Sequence, residues 1–144
     1  MREGKASPLE TMRKPSKEQA MWFNHLHIGV RDLERAIAFY RDILGLEVRP
    51  IPGANWAPVN IGPNLSLDLD QDPELVTDQP KPVIIGLVVE SADETHAQLA
   101  AKGAVLEGEP QDQYWGVRNF YLHDPDGYKI EVAQPLVRST GQGT

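Results

Sequence analysis

The chain has 144 residues, a formal charge of −7 at neutral pH and no cysteine. That length suits one ordinary domain, and the acidic charge argues against binding to nucleic acid or to an anionic membrane surface. The chain also lacks an apolar run near the ~20 residues of a membrane span and the apolar core of a secretory signal, so we expect a cytoplasmic protein without disulfides or thiolate metal ligands.

Both ends of the chain differ in composition from the sequence between them. Residues 1–22 hold five of the 14 basic residues and form a basic N-terminal extension. Such a segment is typically solvated, or docks on its own domain or on a partner subunit. Residues 136–144 have the composition of a disordered tail. We therefore assign a single domain to residues 23–135.

The first half of this domain predicts a strand, a helix and three further strands. A strand with alternating apolar residues starts at His25. Asp32 is placed to cap the start of the following helix, and Gly45 to end it in the left-handed conformation. Between these two residues the apolar positions recur at spacings of three and four, which gives the helix one face to bury. The last strand of this half runs through Leu69.

The second half repeats the same order of elements. Its helix is opened by Ser91 and closed by Gly103. A duplicated unit can pack with pseudo-twofold symmetry, which brings corresponding side chains to one shared site. We expect two βαβββ modules, at residues 23–72 and 81–135. The pairs that keep a constant separation of 59 positions are Val30 and Val89, Asp32 and Ser91, and Trp56 and Trp115.

Alternation along the strands predicts two different sheet faces. The apolar side chains must face the helices, because each large one left exposed would forfeit about 1.5 to 3 kcal/mol. The residues between them share the opposite face, where polar and apolar groups mix as in a binding site. The side chains expected on this face are His25, His27, Ser66, Asp68, Asp70, Ile84, Val88, Asn119, Tyr121, His123, Lys129, Glu131 and Ala133.

Two segments, His25–Gly45 (HLHIGVRDLERAIAFYRDILG) and Tyr121–Val132 (YLHDPDGYKIEV), resemble a known family. Together they are similar to the vicinal oxygen chelate superfamily, which includes glyoxalase I, extradiol dioxygenases, fosfomycin-resistance enzymes and bleomycin-resistance proteins. The resemblance implies an α+β fold of two tandem βαβββ modules. Their strands would form a curled mixed sheet around a groove, with helices on the outer face, in a homodimer.

The resemblance also implies a ligand set for a divalent metal. In metal-dependent members the ligands come from the first and last strands of the modules, positions that fall here on His25, Asp68, Ile84 and Glu131. Isoleucine cannot bind a metal, so His25, Asp68 and Glu131 remain as candidates to hold one ion of Fe, Mn, Ni or Zn. His27 lies on the same face, but about 7 Å from His25 along the backbone, which makes joint coordination awkward.

Two functions remain open at this point. In the favoured one, the groove binds and sequesters a small organic molecule without metal, and its acidic, aromatic lining selects a flat cationic ligand. In the alternative, a metal chelates neighbouring substrate oxygens in a lyase or dioxygenase reaction, and Glu131 moves a proton as the catalytic residue. The side chains predicted to contact the ligand are His27, Trp56, Ile84, Trp115, Asn119, Tyr121 and His123.

Simpler interpretations compete with several of these roles. His25 and Glu131 would form a hydrogen-bonded pair without metal equally well. Asp68 and Asp70 are slightly better explained as the solvated end of a strand than as ligands. His96 is expected to face solvent on the outer side of the second helix.

Overall fold

The computed structural model describes residues 16–136. The first 15 residues of the predicted basic extension and residues 137–144 of the predicted tail lie outside this range. The described residues divide into two compact units, with the boundary between Leu75 and Val76. Within residues 16–136 no helix has both the length and the apolar character needed to span a membrane.

The first unit contains one strand, one helical segment and three further strands around a four-stranded sheet. The sheet order is β1-β4-β3-β2, with β1 parallel to β4 and the other neighbours antiparallel. The elements are β1 (His25–Val30), α1 (Leu33–Ala38), a π-helical turn (Phe39–Ile43), β2 (Glu47–Val48), β3 (Trp56–Gly62) and β4 (Leu65–Gln71).

The second unit repeats this arrangement with the sheet order β5-β8-β7-β6. Here β5 is parallel to β8, and the other pairs are antiparallel. The predicted α+β fold with two βαβββ modules is therefore confirmed, although the strands form two four-stranded mixed sheets, neither of them closed, instead of one curled sheet. The elements are β5 (Ile84–Val88), α2 (Ala92–Ala101), β6 (Val105–Asp112), β7 (Val117–His123) and β8 (Lys129–Pro135).

The predicted helix boundaries are confirmed in both units. The side chain of Asp32 accepts a hydrogen bond from a backbone N–H in the first turn of α1, at 3.3 Å. Ser91 does the same for α2, at 3.1 Å. Gly45 and Gly103 have φ angles of 74° and 83°, so both adopt the left-handed conformation that terminates a helix.

The first helix departs from a regular α-helix in its second half. The backbone N–H of Leu44 donates to the carbonyl of Phe39 at 3.1 Å, a bond that spans five residues. The wider turn accompanies the burial of two consecutive aromatic residues, Phe39 and Tyr40, whose rings meet edge to face at 4.9 Å. Spacing of apolar residues alone does not distinguish this turn from a continued α-helix.

The core of each unit follows the predicted alternation. In β8 the buried residues Ile130 and Val132 alternate with partly exposed ones. Leu26, near the start of β1, is an exception and is 37% exposed. The expectation that His96 faces solvent is wrong: its side chain is 14% exposed, Nε2 donates to the carbonyl of Gly108 at 2.9 Å, and the ring packs edge to face on Phe120.

Candidate functional site

Three side chains that can bind a metal lie together on the first sheet. β1 and β4 pair in parallel with His27 opposite Asp68, and His25 is two residues earlier on the same face. One donor atom from each of the three residues lies within 4.8 Å of the other two. Both imidazoles are exposed, whereas Asp68 is only 5% exposed. The sheet pairing therefore assembles a two-histidine, one-carboxylate cluster.

This cluster corrects two expectations from the sequence. The rings of His25 and His27 are only 5.1 Å apart between centroids and meet edge to face, so the backbone spacing does not keep them apart. The interpretation of Asp68 as part of a solvated strand end is also wrong, because its neighbours in the sheet bury it.

The two imidazoles are oriented by residues beside them. Nδ1 of His25 lies 2.8 Å from Oδ1 of Asn24, and Nδ1 of His27 lies 2.8 Å from Oδ2 of Asp70. Both partners are acceptors, so each contact is satisfied by the tautomer that carries its proton on Nδ1. Nε2 of each ring is then left with its lone pair, which is the form that binds a metal. A carboxylate or carbonyl behind the ring is the usual support for a metal-binding histidine.

The carboxylate of Asp68 is held in a similar way. The hydroxyl of Ser66 donates to Oδ1 of Asp68 at 2.9 Å, which leaves Oδ2 for another partner. Oδ2 lies 3.6 Å from Nε2 of His27, too far for a good hydrogen bond. Two donors that each lie ~2.1 Å from a tetrahedral metal ion are about 3.4 Å apart. The spacing of these two atoms therefore fits a divalent ion between them.

A cavity of about 660 Å³ adjoins the cluster in the first unit. Its volume falls within the range of small-molecule binding sites, roughly 300–1,000 Å³. Trp56, predicted to contact the ligand, lines the cavity, and its ring centroid lies 6.5 Å from that of His27. The apolar part of the lining consists of Pro50, Ile51, Pro52, Trp56, Pro58 and Leu65.

In the second unit, Glu131 belongs to a network of amide side chains. Its Oε2 accepts a hydrogen bond from Nδ2 of Asn119 at 2.8 Å, and Oδ1 of Asn119 accepts one from Gln113 at 3.0 Å. Asn119 is only 2% exposed. The residue opposite Glu131 on β5 is Gly86, which has no side chain. Convergence of Glu131 with His25 stays a prediction.

The other predicted ligand contacts of the second unit are divided between exposed and paired side chains. Ile84 and Trp115 are 57% and 55% exposed. The ring of Tyr121 lies below the ammonium of Lys129, with 4.5 Å between Nζ and the ring centroid. Nε2 of His123 lies 3.9 Å from a carboxylate oxygen of Glu107. Contact of these side chains with a ligand stays a prediction.

The sequence alone did not indicate the residues that support the cluster from behind. Strand parity placed Asp70 on the correct face but did not indicate its hydrogen bond to His27. Asn24 precedes the predicted strand, and nothing in the periodic pattern pointed to it. Arg49, which lines the cavity, follows a strand of only two residues, and so short a strand has no detectable alternation.

The sequence is similar to a known protein family and to several of its members. Residues 22–132 match the model of the Glyoxalase/Bleomycin resistance protein/Dioxygenase superfamily. The metallothiol transferase FosB of Lysinibacillus sphaericus (strain C3-41) is 30% identical over 112 residues, which cover 75% of this chain and 78% of that protein. Human mitochondrial methylmalonyl-CoA epimerase is 37% identical over 79 residues, or 44% of each chain.

The fold is also similar to solved structures. The crystal structure of a glyoxalase/bleomycin resistance protein/dioxygenase from Nocardioides superposes with a TM-score of 0.69. The match covers 92% of this chain and 93% of that one, at 22% sequence identity. At that identity the likeness concerns the fold alone.

Proposed function

Because the chain belongs to the Glyoxalase/Bleomycin resistance protein/Dioxygenase superfamily, we propose that its first module binds a divalent metal ion and a small organic molecule side by side. The metal ligands in this proposal are His25, His27 and Asp68. The organic molecule occupies the adjoining cavity against Trp56. The Lysinibacillus relative is named a metallothiol transferase, and the proposal carries a metal site over to this chain.

The support for each donor atom is the observation that carries this proposal. In both imidazoles Nδ1 is engaged by an acceptor, and in Asp68 the hydroxyl of Ser66 engages Oδ1. The atoms left over, Nε2 of both rings and Oδ2 of the carboxylate, are those that a metal would take. Two histidines and one carboxylate form a donor set suited to Fe(II), Mn, Ni or Zn.

The proposed ligand set differs in one position from the set implied by the family motifs. His27 replaces Glu131, which the motifs placed in the last strand of the second module. Glu131 as a further ligand or as the group that moves a proton stays a separate prediction. The remaining motif position, Ile84, carries an alkyl side chain and supplies no donor atom.

When bound, the metal supplies a Lewis acid for ligand oxygens, as in a lyase or dioxygenase reaction. The side chains around it orient the site. Asp70 fixes the tautomer of His27, and Ser66 fixes the rotation of the Asp68 carboxylate. Trp56 and the apolar wall of the cavity exclude water from the ligand and hold its carbon skeleton.

Metal-free sequestration of an organic molecule is the second candidate function. The largely apolar lining of the cavity favours it, because burial of a ligand's carbon skeleton there contributes free energy without any metal. In that case the cavity alone binds the molecule, and the role of His27 is limited to its hydrogen bond with Asp70.

Metal titration distinguishes the two candidates. Protein purified without chelator is analysed for metals and then dialysed against Fe²⁺, Mn²⁺, Ni²⁺ and Zn²⁺. We expect one ion per chain, and an affinity at least about 100-fold lower in His27→Ala and Asp68→Ala, because a lost ligand costs more than a lost supporting residue. His96→Gln, which changes a histidine that packs on Phe120, is the matched control. Absence of stoichiometric binding, or binding that survives both substitutions, would reject the metal site.

A further inference from the structure

Arg49 is a charged residue among the mostly apolar residues that line the cavity. Arg49 follows β2, and its backbone N–H donates to the carbonyl of Pro58 at 3.1 Å, which fixes the chain at the edge of the sheet. The residue lines the cavity, and its side chain is 27% exposed. Trp56 and Ile51 line the same cavity. A cationic group is thus partly removed from water in a mostly apolar setting.

Strand pairing places Arg49 in line with the proposed metal ligands. His27 lies opposite Asp68, and Asp68 lies opposite Pro58 on β3. Arg49 lies next to Pro58 on the other side of β3, because its backbone N–H donates a hydrogen bond to the carbonyl of Pro58. Strands are about 4.8 Å apart, so two strand spacings, or about 10 Å of backbone distance, separate Arg49 from Asp68. The cavity extends between the two.

One carboxylate orients the polar side chains at the Arg49 end of the cavity. Nε of Arg49 donates to Oε2 of Glu47 at 3.3 Å, and Nδ2 of Asn60 donates to Oε1 of the same residue at 3.5 Å. Of the described residues, Arg49 and Asn60 line the cavity and Glu47 does not. Glu47 is therefore a positioning residue, since it holds the guanidinium without lining the cavity itself.

The guanidinium keeps most of its hydrogen-bond donors. Arginine has five N–H donors in a planar fork, and Nε uses one of them. Within residues 16–136, Glu47 is the partner of this guanidinium, and the four N–H groups on its two Nη atoms are left for a ligand. Partly buried donors of this kind need an acceptor, and a planar oxyanion matches the fork with two parallel hydrogen bonds.

We propose that the ligand of this cavity is an organic anion with an apolar body. Its carboxylate or similar oxyanion binds the Nη atoms of Arg49, and its carbon skeleton lies along Trp56 and Ile51 towards His27. This inference rests on the proposed function, since it names the class of ligand for the same cavity. It also replaces the cationic ligand favoured by the sequence, because the carboxylate nearest this end, Glu47, is engaged by Arg49 and Asn60.

The test compares phenylacetate with its neutral isostere phenylacetamide by titration calorimetry. Both compounds are measured with chelator present and absent, because a carboxylate can also bind a metal directly. With chelator present, we expect wild-type protein to bind phenylacetate at least about tenfold more tightly than phenylacetamide. One charged hydrogen bond can supply a factor of this size. Arg49→Gln should lose this preference, and Arg49→Lys should keep part of it. Arg41→Gln, on the outer face beside Asp42, is the matched control.

Two results would overturn the inference. One is equal affinity for the acid and the amide, or no detectable binding of phenylacetate, in the wild-type protein. The other is a preference for the acid that survives in folded Arg49→Gln. The chelated arm keeps this result separate from the metal site: if wild-type protein fails to bind metal, the Arg49-dependent preference is still measured.

Discussion

The two modules share a framework but differ on the polar face of their sheets. In both, the first strand pairs in parallel with the last, so equivalent positions lie opposite each other. His27 lies opposite Asp68 in the first module, whereas Gly86 lies opposite Glu131 in the second. Two residues earlier, the first module has a histidine and the second an isoleucine. Among residues 16–136, the donors of a candidate metal site therefore lie together in the first copy of the fold and not in the second.

The framework is alike because it depends on the other set of alternating residues. Leu67 and Leu69 in the first sheet, and Ile130 and Val132 in the second, are at most 1% exposed. These side chains pack in the core of each unit and determine which face of the sheet is buried. Side chains on the opposite face contribute little to that core, so they can differ between the copies without a change of fold.

The largest expected effect concerns the buried core that each module has. Leu67→Ala and Leu122→Ala each remove a fully buried side chain from one of the two modules. We expect each to lower the free energy of unfolding by about 2–5 kcal/mol, from lost burial and the cavity left behind. Urea denaturation measures the loss. A loss below ~1 kcal/mol in either variant would show that this module's core is not organised as described.

Exchange of residues between the modules tests the difference directly. His27→Gly gives the first module the residue of the second, and it should lower metal affinity by more than about 100-fold. The reverse exchange, Ile84→His with Gly86→His, should create a second metal site opposite Glu131. A Cβ atom at Gly86 would lie 3.9 Å from Oε1 of Glu131, an ordinary contact, so the sheet has room for it.

Equilibrium dialysis counts the ions bound to each of these variants. We predict fewer than one ion per chain in His27→Gly at concentrations that saturate the wild type, and two in the double variant. Unchanged stoichiometry in both would contradict the comparison of the two faces.

A smaller effect is expected from a residue that supports the cluster. Asp70→Asn replaces the carboxylate that holds Nδ1 of His27 with a neutral amide, and it should weaken metal binding by about 10–100-fold. Competition with a chromogenic chelator measures this change. Asp78→Asn, in an exposed loop, is the control. Equal affinities in the two variants would mean that Asp70 does not orient the ring.

The smallest effects concern the helix caps, which are equivalent in the two modules. Asp32→Ala and Ser91→Ala each remove one hydrogen bond to the first turn of a helix. We expect each to lower the free energy of unfolding by about 1 kcal/mol, and the double variant to lose about the sum. Thermal or urea unfolding measures these values. A loss in only one module would show that the two caps are not equivalent.

Features encoded over short stretches of sequence were predictable. The caps at Asp32 and Ser91 and the terminating glycines depend on a few neighbouring residues. The same local pattern occurs in both modules, so each module supported the prediction for the other. The arrangement of the candidate site depends on contacts between residues far apart in the sequence and on side-chain conformation. The burial of Asp68 is produced by β1 and β3, and the contact between His25 and His27 depends on side-chain rotation, neither of which a periodic pattern encodes.

The position of a metal ion in a crystal tests the central claim most directly. Crystals soaked with Mn²⁺ or Zn²⁺ would be measured at the absorption edge of the metal, where an anomalous peak locates the ion. We predict one peak about 2.0–2.3 Å from Nε2 of His25, Nε2 of His27 and Oδ2 of Asp68. A peak bound by His25 and Glu131 without His27, or no peak at saturating metal, would contradict it.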